Sequence, residues 1–474
     1  MEKIIGRKKE IKELTDYYNS GRPEFIAVYG RRRIGKTFLI RNTFRERLSF
    51  DMTGSIDGSA ETQLTNFGYA LRDLGNNDNK MPKSWSEAFN TLKYIIRQKL
   101  NGNRIILFID ELPCLDTPKS GFRQAFEHFW NSWAGNQSEI MLIVCGSATS
   151  WMIDNLIDSH GGLHNRITHE IHLSPFSLGE TEEMLQNNGF TWPRLSILQI
   201  YSILGGVPYY LNLLDNNLGV EGNVDKLLFS EYGELKREYY RLYSSLFKNS
   251  ETYMKVIDAI ASCKQGITRR NIAEKLNIPS GGTLTKILKE LASCEFIRGY
   301  KTKEKKIKQK EMIYQVTDLY TLFYMTFCQS NSTDPAFWTH IMGKPKQNTW
   351  YGLAFERICA LHIEQIKRAL GIERIHTEYY SWRSKKSVPA AQIDLLIERD
   401  DNLINLCEIK YSQAQYSITK DEEMKIRNRI SDFVYETSTN KGIITTMVTT
   451  FGLRKNAHSA IAQAEITMDD LFEH

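Results

Sequence analysis

The pattern of apolar and polar residues predicts different kinds of structure in successive parts of the chain. In the first third, continuous apolar runs such as Phe25 to Tyr29 and "RIILFIDEL" alternate with amphipathic helical patterns. This alternation is typical of a parallel sheet covered by helices. Helical patterns alone occupy residues 176–245. Helices separated by a turn follow from Glu251, and a hairpin pattern stands in the last domain.

Length and composition narrow the class of protein. A chain of 474 residues exceeds what one hydrophobic core organises, so we expect about two to four domains. The chain is 41% hydrophobic and 25% charged, and no apolar run approaches the roughly 18 residues of a membrane helix. The charged start "MEKIIGRKKE" is unlike a signal peptide. Seven scattered cysteines without metal-ligand spacing predict reduced core thiols in the cytoplasm, and a net charge of +5 says little about nucleic acid.

The stretch "FIAVYGRRRIGKTFLIRNTF" joins a strand, a loop and a helix around Gly30-x-x-x-x-Gly35-Lys36-Thr37. The glycines let backbone N–H groups face phosphates, Lys36 reaches the outer phosphates, and the Thr37 hydroxyl can hold Mg²⁺. A basic turn is the alternative, but the order of strand, loop and helix argues against it. We predict ATP and Mg²⁺ as cofactors, with the phosphate loop formed by Gly30, Arg31, Arg32, Arg33, Ile34, Gly35, Lys36, Thr37 and Phe38.

Two further strand ends carry candidate chemistry. The run "RIILFIDEL" ends in Asp110 and Glu111, at the edge where ligands of open α/β sheets gather. We expect Asp110 to hold Mg²⁺ through water, and Glu111 to act as the general base that polarises the attacking water. A third apolar run, "IMLIVCGSA", contains Ser147, whose hydroxyl could sense the γ-phosphate.

Four histidines and one arginine follow the third strand. His160, His164, His169 and His172 have spacings of four, five and three, which match no common zinc pattern and indicate a loop leading into a strand. Arg166 in this loop is placed to reach a γ-phosphate in its own or a neighbouring subunit. An ordinary surface arginine is an equal alternative until the geometry is known.

Residues 176–245 predict helices broken by "LGGVPYYL", where Gly205, Gly206 and Pro208 separate two helical runs. We interpret them as a helical lid over the nucleotide.

Several segments together resemble the archaeal-type ATPase family, a branch of the AAA+ and STAND-like P-loop NTPases. They are "IIGRKKEIKEL", the phosphate loop, "FIDEL", "CGSATSWM", "HNRITHEIHLSPF" and "GGVPYYL". The resemblance implies that Gly6 and Arg7 lie beside the adenine and that Pro208 belongs to a Gly-x-Pro motif of the lid. His164 and Asn165 stand where the family often has Tyr-Gly, which leaves the arginine-finger role of the following arginine open.

The segments "ETYMKVIDAIAS", "GITRRNIAEKLN" and "TLTKILKELASCEFI" predict helices in helix-turn-helix order. Two β-like runs around a lysine-rich tip follow, so the sequence predicts a winged helix with a basic wing. Contact with DNA and a protein module between domains are both compatible with it. The candidate DNA contacts are Thr283, Thr285, Lys286 and Lys289 on the third helix, and Lys301, Lys303, Lys305, Lys306, Lys308 and Lys310 on the wing.

The run "QIDLLIERDDNLINLCEIKYS" predicts a hairpin with strands over 392–398 and 403–411. Alternation of side chains places Glu408 and Lys410 on one face, and a turn centred in "RDDN" places Asp394 opposite Glu408. Two opposed carboxylates repel each other, a cost that a divalent cation removes. Lys410 could orient water or stabilise charge that develops on a phosphorane.

The preceding helical run "WYGLAFERICALHIEQIKRAL" carries Glu356, a fourth member of this set. The order of elements resembles the PD-(D/E)XK nuclease fold and the domain of unknown function fused to archaeal-type ATPases, although Ile393 replaces the proline before Asp394. The resemblance implies Mg²⁺ at Glu356, Asp394 and Glu408. Salt-bridged residues at a hairpin edge are the alternative, and a degenerate nuclease fold that only binds is another.

The predicted fold class is α/β, with a P-loop NTPase parallel sheet, a helical lid, a winged helix-turn-helix and a C-terminal restriction-endonuclease-like domain. The predicted boundaries are 1–175, 176–248, 249–330 and 331–474. The leading hypothesis is a cytoplasmic ATPase that couples ATP hydrolysis to action on DNA and has a Mg²⁺-dependent nuclease-like end. The alternatives are an ATP-controlled assembly switch with an inactive nuclease-like domain, and a protein that grips a protein partner. Whether the chain forms a homo-oligomer stays open.

Overall fold

The structure is a computed structural model that describes residues 3–76, 80–158, 161–163, 165–263, 266–300, 312–330, 333–384 and 391–473. These residues form two compact units, Met1–Ser174 and Pro175–His474. No helix within the described ranges is long and apolar enough to cross a membrane.

A parallel sheet of five strands forms the centre of the first unit. Its strands are β1 (Glu24–Tyr29), β2 (Leu48–Thr53), β3 (Ile105–Asp110), β4 (Ile140–Gly146) and β5 (His169–His172). They lie in the order β2-β3-β4-β1-β5, and every pairing is parallel. All residues of β3 and β4 are buried, as expected for strands covered on both faces. The predicted parallel α/β sheet is therefore confirmed.

Helices cover both faces of this sheet, and their cores follow from the alternation of side chains along the strands. Leu107 and Leu142 pack in one hydrophobic cluster, whereas Phe108 and Ile143 pack in another on the opposite face. The helices are α1 (Lys8–Tyr18), α2 (Lys36–Phe44), α3 (Ala60–Asp73), α4 (Trp85–Lys99), α5 (Phe122–Ser132) and α6 (Thr149–Met152).

The second unit begins with helices. A reciprocal capping box between Ser177 and Glu180 starts the first of them. Gly206 fits here because a Cβ at this position would lie 1.9 Å from the carbonyl oxygen of Phe176. The helices are α7 (Leu178–Asn187), α8 (Arg194–Leu204), α9 (Pro208–Leu211), α10 (Val220–Val224) and α11 (Glu238–Leu246).

Three helices and a small sheet follow. The elements are α12 (Ser250–Ala261), β6 (Ile267–Thr268), α13 (Arg269–Leu276), α14 (Gly282–Ser293), β7 (Ile297–Tyr300) and β8 (Ile313–Val316). The three strands pair antiparallel in the order β6-β8-β7. The Thr268 side chain caps α13 by accepting a hydrogen bond from the N–H of Asn271.

The chain ends in a mixed sheet that helices cover. Its strands lie in the order β13-β12-β11-β10-β9. β10 pairs antiparallel with β9 and β11, whereas β12 pairs parallel with β11 and β13. The elements are α15 (Leu319–Phe323), α16 (Phe337–His340), α17 (Pro345–Leu361), α18 (Ile363–Ala369), β9 (Thr377–Arg383), β10 (Gln392–Arg399), β11 (Leu403–Lys410), α19 (Lys420–Thr437), β12 (Gly442–Thr449), β13 (Ala464–Thr467) and α20 (Met468–Leu471).

The helix predicted around Glu356 is two helices, because His362 interrupts it between α17 and α18. The backbone of His362 leaves helical geometry, with φ −106° and ψ 34°. Its Nε2 accepts a hydrogen bond from the N–H of Leu178 at 3.0 Å. Burial lowers the pKa of His362 to about 4, so its ring is neutral and can accept that bond near pH 7.

Candidate functional sites

The phosphate loop leaves β1 through a glycine that no other residue could replace without a shift of the backbone. Gly30 has a φ of 143°, and a Cβ there would lie 2.2 Å from the carbonyl oxygen of Leu173. Gly35 has a φ of 87° and comes directly before α2. The loop therefore delivers the chain to a helix N-terminus, where backbone N–H groups attract anions.

The side chain of Lys36 folds back into this loop. Its Nζ donates hydrogen bonds to the carbonyl oxygens of Gly30 and Arg31, both at 2.9 Å, and to Ser147 Oγ at 3.0 Å. The side chain is only 5% exposed. The ammonium is thus held inside the loop, in the position from which it can reach phosphate oxygens.

Thr37 and Asp110 are in direct contact, although they belong to different elements. Thr37 Oγ1 donates to Asp110 Oδ2 at 2.7 Å, and the N–H of Glu111 donates to Asp110 Oδ1 at 3.0 Å. Burial raises the pKa of Asp110, and the Thr37 hydrogen bond acts against that effect. A hydroxyl and a carboxylate at this edge are the oxygen ligands that Mg²⁺ prefers, so the residues fit the predicted ion.

Glu111 is bound by Ser147. The backbone N–H of Ser147 donates to Glu111 Oε2 at 3.1 Å, and its hydroxyl donates to Oε1 at 2.5 Å. Glu111 adopts the left-handed conformation with a φ of 47°, which is unusual for a residue with a side chain. Ser147 therefore joins the lysine of the loop to the predicted base. The sequence predicted both residues but not this contact.

The other predicted residues of the first unit differ in their contacts and in their exposure to solvent. Arg7 packs against the loop, because its Nη2 donates to Ser174 O at 2.6 Å and lies 3.4 Å from Ile34 O. Gly6 directly precedes it with a φ of 61°. Arg166 is exposed, and its N–H donates to Leu163 O at 3.0 Å. Arg31 and Ile34 are buried, Arg32, Arg33 and Gly35 are half-buried, and Phe38 is exposed.

The remaining predicted residues lie in the second unit or outside the described residues. Pro208 begins α9 in the second unit. His160, His164 and all the predicted wing lysines lie outside the described residues. The roles assigned to these residues remain predictions.

A second group of charged residues lies in the mixed sheet. Leu395 pairs with Cys407, and the same register continued by one residue places Asp394 opposite Glu408, as the hairpin pattern predicts. Burial, together with the charges of Asp394 and Glu408, raises the pKa of Glu356 to about 7. The three carboxylates therefore influence one another across α17, β10 and β11.

Glu408 has a partner that the sequence did not reveal. Nη1 of Arg429, on α19, donates to Oε1 and Oε2 of Glu408 at 2.5 and 2.7 Å. Lys410 Nζ lies 3.7 Å from Oε2. The basic run "KIRNR" in the helical stretch after the hairpin is the only signal that could have pointed to this contact.

Arg429 already compensates the charge of Glu408, so the repulsion between the opposed carboxylates is weaker than the hairpin pattern alone implies, and the cation at this position stays a prediction. Among the residues that the structure describes, no three His, Cys, Asp or Glu side chains form a group that could hold a metal ion. Opposed Asp394 and Glu408 still fit Mg²⁺, which takes one or two carboxylates together with substrate phosphates.

One family model and several known proteins are similar to this chain. Residues 4–214 match a family described as an ATPase domain predominantly from Archaea. An uncharacterized protein of Methanocaldococcus jannaschii is 24% identical over 424 residues, which cover 89% of this chain and 89% of that protein.

Solved structures with similar folds include a Walker-type ATPase of Pyrococcus abyssi, with 18% identity, a TM-score of 0.47, and coverage of 68% of this chain and 96% of that one. The ORC1 protein of Aeropyrum pernix, solved in complex with DNA, has 12% identity, a TM-score of 0.32, and coverage of 68% and 93%. Residues 4–214 are similar to this family of ATPase domains, and they include the phosphate loop on a parallel sheet.

Proposed function

We propose that the protein binds ATP with Mg²⁺ and couples ATP hydrolysis to action on DNA. One observation carries the nucleotide part of this proposal. Lys36, Ser147 and Glu111 form a continuous chain of hydrogen bonds beside the contact between Thr37 and Asp110. This arrangement brings together a phosphate ligand, a candidate base and two oxygen ligands for a cation.

Each residue of this group has a distinct part in the proposed reaction. Lys36 would exchange its loop carbonyls for phosphate oxygens, and Thr37 and Asp110 would hold the cation. Glu111, which hydrogen bonds from Ser147 hold in position, would accept the proton of the attacking water. Bound Mg²⁺ would neutralise charge on the phosphate oxygens.

The proposal that the protein contacts DNA is supported by the elements from α12 to β8, which have the order of a winged helix. On α14, Thr283, Lys286 and Lys289 are exposed. Thr285 accepts a hydrogen bond from Arg269 at 2.7 Å and so has a structural partner. We propose that the exposed residues of α14 face nucleic acid.

The proposal of a nuclease-like domain is supported by the elements that carry the charged residues. Glu356 lies on the helix α17, Asp394 lies on the hairpin strand β10, and Glu408 and Lys410 lie on its partner strand β11. The strand β9 precedes this hairpin, and α19 and β12 follow it. Carboxylates on a helix and on paired strands, with a lysine next to one of them, could bind a cation and stabilise charge on a phosphodiester.

A second candidate function is an ATP-controlled assembly switch whose nuclease-like domain only binds nucleic acid or protein. The ion pair between Glu408 and Arg429 favours it, because a carboxylate with both oxygens engaged by an arginine needs no metal.

Two assays on the purified chain decide between these functions. We expect ATP hydrolysis, and nicking of plasmid DNA that requires Mg²⁺ and is lost in Glu408→Gln. A protein that hydrolyses ATP and binds DNA but never nicks it, with or without ATP, would be the switch. A protein that does not hydrolyse ATP would overturn both candidates.

A further inference from the structure

We propose that Arg429 stays paired with Glu408 in the free protein. When nucleic acid binds, one of its phosphates replaces Glu408 as the partner of Arg429, so that cation and nucleic acid bind together. In this view Arg429 is a positioning residue that blocks cation binding in the free protein. The inference rests on the proposed nuclease-like function of this domain.

The contact between these two residues places Arg429 in direct competition with a cation. A single guanidinium nitrogen lies 2.5 and 2.7 Å from the two oxygens of Glu408, which is 5% exposed. A cation that binds to Glu408 must therefore displace the guanidinium or share the carboxylate with it. Displacement without a new partner would leave a partly buried arginine without its counter-charge, which is costly.

The charges around the site also oppose cation binding in the free protein. Basic side chains lie close to the carboxylates of this site and compensate their negative charge. A divalent cation added to this set would meet repulsion from the basic side chains. The carboxylates are Glu356, Asp394, Glu408 and Glu422, and the basic residues are Arg298, Arg357, Lys410, Lys425 and Arg429.

A cavity in front of the ion pair offers a place for the phosphate. It has a volume of about 140 Å³, and Lys410, Lys425 and Arg429 line it together with Glu408. Guanidinium groups bind phosphate through paired hydrogen bonds, so Arg429 could exchange one oxyanion for another within its reach. The released Glu408 and a phosphate oxygen would then both be available to the cation, as in sites where Mg²⁺ has few protein ligands.

The test is a measurement of cation affinity that does not depend on cleavage. Mn²⁺ is titrated by calorimetry into the full chain carrying Asp110→Asn, so that the nucleotide site does not contribute. Each titration is done with and without a non-cleavable phosphorothioate duplex, and the heat of Mn²⁺ binding to the duplex alone is subtracted. Binding at the second site is defined as the part lost in Glu408→Gln.

The matched variants are Arg429→Gln and Arg427→Gln, which remove the same charge from the same helix. Arg427 is 65% exposed and pairs with Glu423 instead. Without duplex, we expect Arg429→Gln to bind Mn²⁺ about tenfold more tightly than the parent, because Glu408 loses its counter-charge. We expect Arg427→Gln to match the parent. The duplex should tighten binding to the parent about tenfold and change Arg429→Gln much less.

Equal Mn²⁺ affinity in Arg429→Gln and Arg427→Gln would overturn this inference while leaving the nuclease proposal intact. Weaker binding in Arg429→Gln would also overturn it, since Arg429 would then support the cation site. If no variant shows binding that Glu408→Gln removes, with or without duplex, both the inference and the cation-dependent nuclease proposal fail.

Discussion

Ser147 donates hydrogen bonds to both carboxylate oxygens of Glu111, from its backbone N–H at 3.1 Å and from its hydroxyl at 2.5 Å. The same hydroxyl accepts a bond from Lys36 at 3.0 Å. A residue at the end of β4 therefore controls where the candidate base at the end of β3 points. This relationship makes Ser147 a test of how the base is positioned.

Replacing Ser147 with alanine should lower kcat for ATP hydrolysis by about tenfold to a hundredfold, because Glu111 loses one of its two hydrogen bonds. ATP affinity should change little, since Lys36 and the rest of the phosphate loop stay in place. Steady-state kinetics and titration with a fluorescent ATP analogue separate the two quantities. Ser150→Ala, three residues further along, is the control. An unchanged kcat in Ser147→Ala would contradict this role.

Lys36→Met should reduce kcat/KM for ATP by about a hundredfold or more, because it removes the ammonium from the phosphates. The methionine keeps the length of the side chain, and thermal unfolding without nucleotide checks that the fold survives. The exposed Lys83 provides the control, as Lys83→Met removes the same charge away from the loop. If Lys36→Met hydrolyses ATP at the parent's rate, the assignment of the nucleotide site is wrong.

Glu356→Gln should stabilise the metal-free protein at pH 8 but not at pH 4.5. The folded protein raises the pKa of Glu356 to about 7, so its protonated form is favoured in the native state. The resulting stability is present below about pH 4.5 and is lost as pH rises through 7. The full effect is on the order of 3 kcal/mol.

The measurement is the difference in thermal midpoint between Glu356→Gln and the parent across this pH range. Glu364→Gln serves as control, because Glu364 is 67% exposed and lies on the next helix. A difference that stays constant with pH would show that Glu356 does not titrate in a carboxylate-rich environment.

The double variant Lys286→Gln and Lys289→Gln should weaken DNA binding and lower its dependence on salt. Each phosphate contact contributes about 0.9 to the slope of log K against log salt, so the slope should fall by close to two. Arg270→Gln on α13 is the control, since Arg270 is 82% exposed and lies on the helix before α14. Fluorescence anisotropy at several salt concentrations measures the slope. An unchanged slope would favour a protein partner for this surface.

Contiguous patterns were readable from the sequence because their geometry is local. The phosphate loop is a run of neighbouring residues between a strand and a helix, and the structure has it in that form. The opposition of Asp394 and Glu408 was also predictable, since a short turn determines the register of a hairpin. The break at His362 was not, and neither was the hydrogen bond that its ring accepts from Leu178, far away in the chain.

What the sequence determined by itself is the strands that carry the two sites, the phosphate loop and the identity of most charged residues in both sites, since periodicity and turn chemistry act over a few residues. The tertiary structure decided which of these residues touch. Glu111 meets Ser147 because β3 and β4 are neighbours in the sheet. Arg429 reaches Glu408 because α19 packs over β11, 21 residues away in the chain. Such contacts depend on how separate elements pack, and no local pattern encodes them.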